Sequence, residues 1–190
     1  MTSPHPILTP YGPRYVGVVG WRINMVNTHG EITGIPTGDA YTPHAICRKN
    51  PKHSGAVLDC TCGHRVVTNL DRVVLYIDSS DYYISAIGYG GMRWGGYMDK
   101  LIPDYYDYDD SDQSAHRILL HVASVDPHEE PRPPSWDDPR DTHRVSRLIV
   151  LHGYLRQQDA HLAPQVRDLY PFPVTVLDND DFRTAGQTTS

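Results

Sequence analysis

The sequence predicts a mainly β domain, α+β with one short C-terminal helix, built as a single antiparallel sheet or partly open barrel that carries long loops. Three observations predict it. The chain has thirteen Tyr against two Phe, and Tyr suits a half-buried pleated surface. Sixteen Pro and fifteen Gly punctuate its 190 residues with turns. Apolar residues gather in short β-branched and aromatic runs, with no heptads and no internal repeat.

The elements follow in order. Tyr15 to Val26 reads as the first strand, between Pro13 and the turn Asn27-Thr28-His29-Gly30, and its glycines at 17 and 20 mark bulges or close packing. Glu31 to Asp59 is loop-like and needs something other than a core to order it. Arg72 to Ile77 and Tyr82 to Ile87 read as a hairpin about Asp78-Ser79-Ser80-Asp81, and Trp94 to Ile102 continues the sheet. Ile118 to Val125 and Val145 to Tyr154 are two further strands. The insert 127–143 between them holds five prolines, too many for a strand. Pro164 opens a short helix to Leu169, Tyr170-Pro171 stops it, and Val174 to Leu177 is the last strand.

The 39% apolar content supports one modest core, so residues 1–178 form one domain and residues 179–190 a disordered tail. No window approaches a membrane span and the start MTSPHPILTP lacks a signal-peptide pattern, which predicts a soluble, cytoplasmic protein. Net charge is −6, and it is uneven: residues 1–100 balance at +2 and residues 101–190 at −8. The chain as a whole is therefore not built to coat a phosphate backbone.

The three cysteines lie close together, unlike the even, dispersed set of a disulfide scaffold. Cys47, His53, Cys60 and Cys62 fall within sixteen residues and would close a tetrahedral zinc site, stapling the loop 44–64. Gly63 lets the backbone turn so that amides face the sulfurs. His64 is the competing fourth ligand and His44 a weaker one. Four protein ligands leave no open position, so the zinc would be structural.

The run His53-Ser54-Gly55-Ala56-Val57-Leu58-Asp59-Cys60-Thr61-Cys62-Gly63, preceded by Cys47, resembles a motif of small actinobacterial and actinobacteriophage proteins of largely unknown function. In them a Cys is followed by His-x-Ala-Pro and then Cys-x-Cys-Gly. This chain departs at Gly55-Ala56 and again after Gly63, where His64-Arg65 replaces an apolar-aromatic pair. Weaker similarity runs through Arg72 to Ile87 and through Leu169 to Val174. The resemblance implies a zinc-stabilised β-rich domain of phage or actinobacterial origin and carries no reaction with it.

Three functional classes follow. Asp104 to Asp112 places five Asp in nine residues, and Tyr105, Tyr106 and Tyr108 among Asp107, Asp109, Asp110 and Asp112 can anchor a partner with a basic surface, as can Trp136 in the insert. This gives a non-enzymatic interaction protein binding a host macromolecule, with duplex mimicry as its sharper form. Arg48, Lys49, Lys52, Arg65 and Arg72 around the zinc loop give the alternative, a nucleic-acid-binding zinc knuckle. His121 and His152 each follow an apolar strand segment and would lie together if those strands pair. They offer a His-dependent hydrolase only if a carboxylate orients one of them, and neither flank supplies one.

Overall fold

The structure, a computed structural model, describes residues 7–14, 16–33, 42–45, 47, 56, 62–74, 116–125, 141–179 and 181–187. The strands expected at Tyr82 to Ile87 and Trp94 to Ile102 lie outside these residues, as does nearly all of the proline-rich insert.

The fold is mainly β. A hairpin of β1 (Ile7–Thr9) and β2 (Gly12–Arg14) pairs by itself. The main sheet contains β3 (Val19–Val26), β4 (Ile32–Thr33), β5 (His64–Val67), β6 (Arg117–Ser124), β7 (Thr142–Val145), β8 (Leu148–Leu155) and β9 (Val174–Val176). Its order is β7-β5-β3-β6-β8-β9, with β4 also on β3. Pairings are antiparallel except β8 with β9, so the sheet is mixed where an antiparallel one was expected, and it does not close into a barrel. The parallel pair needs a crossover. A 3-10 turn, Gln157–Leu162, and helix α2 (Ala163–Leu169) supply it, with Pro164 in the first turn and the extended Tyr170 before Pro171 ending the helix.

The strand expected from Val145 to Tyr154 is β8 from Leu148 onward, while Val145 ends β7, whose first residues, Thr142 and His143, fall in the insert expected to be a loop. The break at Ser146-Arg147 separates β7, paired with β5, from β8, paired with β6, on opposite sides of β3. In a flat sheet those positions are four strand spacings apart, about 19 Å. The three Cα steps from Val145 to Leu148 reach at most about 11 Å. The sheet must therefore curl, and Val66, Leu120, Val122, Val145, Leu148 and Val150 meet in one core inside the curl, which Leu162, Val166 and Phe172 complete. Trp21, Val67, Leu119 and Tyr154 on the other face pack with Val73, Val74, Leu177, Phe182 and Ala185.

Two expectations are corrected on this second face. Arg72 to Val74, read as the start of a strand, belong to a helix over residues 70–74 (α1). The Asn69 carboxamide caps them, accepting from Asp71 N at 3.0 Å and Arg72 N at 3.4 Å, and Leu70, Val73 and Val74 then fall on one helical face. The cap outweighs the β-branched pair. The tail expected to be disordered contains a 3-10 helix, Phe182–Gln187, because Phe182 is fully buried beneath the Arg156 guanidinium, 4.7 Å from its ring. One aromatic anchors an otherwise polar stretch.

Gly30 ends the turn after β3 with φ +82°, and its N–H donates to Asn27 O at 2.9 Å. A Cβ there would stand 2.6 Å from Gln165 Cβ and 2.7–2.8 Å from the α2 backbone. Gly30→Ala combines a disfavoured φ with overlap against backbone that cannot retreat, and is expected to cost at least about 3 kcal/mol in a urea melt. A loss under about 1 kcal/mol would mean that the turn does not dock on α2. Among the described residues no helix is long and apolar enough to cross a membrane.

Candidate metal centre and histidine row

The cysteine-bearing loop is tied down at the bend between β7 and β8. His44 bridges Arg147, Ala45 N donates to Ser146 O at 2.8 Å, and Leu148 N donates to Pro43 O at 3.0 Å. On the neighbouring strand His64 is in register with Val145. Cys47, three residues past His44, and Cys62, two before His64, therefore leave the sheet at the same corner. Cys47 is 2% exposed and Cys62 half-buried. The middle of the loop returns there too, since a Cβ on Gly63 (φ +116°) would meet Ala56 Cβ at 3.0 Å. Ala56 itself holds φ +60°, a left-handed conformation that costs a non-glycine residue roughly 1–2 kcal/mol. That contact places Ala56 against the Gly63 turn. His53 and Cys60 lie outside the described residues, and among the described residues no three His, Cys, Asp or Glu side chains form a group able to hold a metal. The donor chemistry of the two described cysteines suits zinc, which prefers thiolate and imidazole ligands.

His64 meets a guanidinium. Its Nδ1 is 3.0 Å from Arg22 Nη1, and a guanidinium only donates, so Nδ1 accepts and the proton sits on Nε2. Burial first, and then the Arg22 charge, push its pKa down to about 3, against the raising effect of the Pro43 and His44 backbone. The ring is neutral, and its one lone pair is turned to Arg22. Arg22 Nε donates to Asn24 Oδ1 at 2.8 Å and Asn24 Nδ2 to Thr33 O at 2.8 Å, so a chain of bonds runs from β4 to this imidazole.

Across the sheet's second face runs a lateral row: Trp21 on β3, His121 on β6, His152 on β8 and Thr175 on β9. Trp21 is in register with His121 and His121 with His152, beside a bulge. The Trp21 and His121 rings stack at 4.5 Å, His152 stacks on Tyr154 at 4.5 Å, and His152 Nε2 is 2.8 Å from Thr175 Oγ1. The two histidines thus do lie together. Burial lowers both pKa values, and His152 lowers that of His121 further by charge repulsion. Among the described residues neither imidazole contacts a carboxylate, the orienting group a general base needs.

A histidine with such a partner lies elsewhere and was not singled out in the sequence. His116 Nδ1 is 2.6 Å from Oδ1 of the buried Asp159, with the His161 ring edge-on at 5.3 Å. The pair ties the turn after β8 to the start of β6, across 43 residues that no local pattern bridges.

The expected partner-binding residues Tyr105, Tyr106, Asp107, Tyr108, Asp109, Asp110, Asp112 and Trp136 lie outside the described residues, as do Arg48, Lys49 and Lys52. Arg65 and Arg72, the described members of the basic group, are engaged internally: Arg65 Nη1 donates to Gly63 O at 3.2 Å and Arg72 Nε is 3.8 Å from Asp141 Oδ2. In comparisons with known proteins the chain matches no family model, no curated protein and no solved structure.

Proposed function

We propose that the chain is a non-enzymatic, zinc-stabilised interaction protein that binds a macromolecule with a basic surface through its acidic, tyrosine-rich segments. The observation that carries the reading is the convergence of Cys47, Cys62 and the loop middle at Ala56 on one corner of the sheet. Cys47, His53, Cys60 and Cys62 would hold the zinc, and the turn of the His64 lone pair toward Arg22 favours His53 as the fourth ligand. When bound, zinc supplies folding energy to a loop with little core of its own. The resemblance at the cysteine motif supports a phage or actinobacterial origin, and with it action in a bacterial cytoplasm.

Asp107, Asp109, Asp110 and Asp112 would steer a basic partner, and Tyr105, Tyr106, Tyr108 and Trp136 would anchor it. The test is affinity capture from an actinobacterial lysate with wild type and with a variant carrying those four Asp as Asn. A protein retained by wild type, released by salt and lost with the variant is the expected result. Equal capture by both, with fold intact, would move the interface off this segment.

A further inference from the structure

The bulge between β6 and β8 falls at one step of the ladder. His121 pairs with His152 and Val122 with Val150, so Leu151 is an extra residue on β8. In an uninterrupted strand residues two apart share a face, and position 152 would follow Val150 into the core inside the curl. The inserted Leu151 turns it to the opposite face, where His152 stacks on Tyr154 and stands level with His121. Bulges re-aim side chains in this way beside functional sites. The result is two imidazoles in opposed positions on one face, both partly open to solvent.

Two ionisable rings placed this way are a poor choice for packing alone, since like charges directly opposite each other on a sheet repel. The His121 ring stacks on Trp21 at 4.5 Å, and among the described residues no hydrogen bond engages its nitrogens. His152 Nε2 lies 2.8 Å from Thr175 Oγ1. The protonated ring donates Nε2–H to that oxygen and carries a second donor on Nδ1. Other charged side chains on this face are engaged or distant. Arg65 and Arg144, two and three strands away, donate to the Gly63 and Cys62 carbonyls, and Arg117 is four residues, about 13 Å, along β6. Arg156 lies on Phe182, Arg183 is near Asp71 and Asp181, and Arg72 is near Asp141. The charged group that acts on His121 is His152.

We infer that His121 and His152 form a binding site for a doubly charged tetrahedral oxyanion, such as the phosphoryl group of a phosphate monoester, taken up together with protons. This goes beyond the interaction reading and does not depend on zinc. An anion beside both rings cancels the repulsion between them and offsets the burial of their charge. Two imidazolium charges suit a dianion, and His152 Nδ1 with the His121 nitrogens supplies donors to its oxygens. The indole face behind His121 tolerates a cation and holds the ring in place. Both pKa values are lowered in the empty site, so the pair is mainly neutral at pH 7 and affinity rises on acidification.

The test is a nuclear magnetic resonance titration of the full-length protein, labelled with nitrogen-15 in histidine, with sulfate as the probe. Sulfate keeps both charges between pH 7.5 and 5.5, so every effect of pH belongs to the protein. Ionic strength is held constant with chloride. Saturable shifts confined to His121 and His152 among the eleven histidines are expected, with both pKa values raised. Sulfate affinity should increase on acidification by about tenfold for each imidazole whose pKa rises by one unit. Inorganic phosphate should move the same signals, and acetate, with one charge, should bind more weakly. His121→Gln and His152→Gln, each first shown to be folded by circular dichroism, should each lose most of the affinity and one ring's share of the pH dependence. Thr175→Val keeps both rings and should weaken binding less. If one histidine variant does not fold, the other and Thr175→Val carry the comparison. Folded wild type without saturable shifts at pH 5.5, or binding unchanged in the folded histidine variants, overturns the site, and acetate binding as tightly as sulfate overturns the dianion. Zinc content is unaffected by any of these outcomes, so the metal reading stands or falls separately.

Discussion

Protein prepared without chelator should carry about one zinc per chain, and Cys60→Ser or Cys62→Ser should abolish it and lower the unfolding free energy by several kcal/mol. Structural zinc contributes on the order of 10–16 kcal/mol of apparent binding free energy in small fingers, and part of that appears as fold stability wherever the site exists only in the folded chain. Residues 44–64 carry all three cysteines, so removing the staple should be felt there first. The two histidines should separate by readout. His53→Ala should cost metal. His64→Ala should retain metal yet lose about 1–3 kcal/mol, because it removes the acceptor that the partly buried Arg22 uses. Elemental analysis and urea melts on the same preparations decide both points. Absence of stoichiometric metal in wild type would sink the site, and metal loss from His64→Ala alone would exchange the two roles.

Stability should also fall as pH drops below about 6.5, the ordinary histidine value. His121 and His152 both bind protons less readily in the fold than in the unfolded chain. Between the unfolded and the depressed folded values the unfolded state therefore takes up more protons, and stability, fully present above 6.5, is lost progressively on acidification. Each histidine contributes at most about 1.4 kcal/mol per pH unit in that window, less for His152, whose ring is only about half shielded from solvent. His64 extends the loss toward pH 3. Urea midpoints from pH 7.5 to 4.5 measure this slope. Comparison with His121→Gln and His152→Gln separates it from acid release of a metal. Parallel profiles for all three proteins would show that the row does not carry the acid sensitivity. Trp21 reports on the same event, since its indole stacks on His121 and its fluorescence should drop when that imidazole is protonated.

Local signals located three elements closely and missed others: the short strands β1, β2, β4 and β5 were not expected, and β3 begins at Val19 where Tyr15 was expected. Strands β6 and β9 and helix α2 lie within a residue of their expected bounds, because their start and stop residues, Pro164, Tyr170-Pro171 and the apolar runs themselves, act on adjacent backbone. What was not legible depends on partners far along the chain. The break at Ser146-Arg147 exists because segment 43–45 takes the backbone bonds of 146–148, about 100 residues away in sequence. Helix α1 hinged on weighing one capping carboxamide against two valines. The same holds at the site. The cysteines showed themselves by spacing, but Arg144 reaches Cys62 across 82 residues and Arg22 reaches His64 across 42, with nothing in either flank to mark them. The adjacency of His121 and His152 was legible only as a condition on strand pairing, and β6 with β8 supplies that condition.

The seven-pair ladder between β3 and β6, from Val19 with Ala123 to Met25 with Arg117, joins segments about a hundred residues apart, and 75–115 forms much of the chain between them. Pairing between segments so far apart must meet a large closure entropy before its bonds repay it, and domains dominated by such non-local contacts fold in about milliseconds to seconds. The central ladder therefore predicts slow folding for a chain of this size.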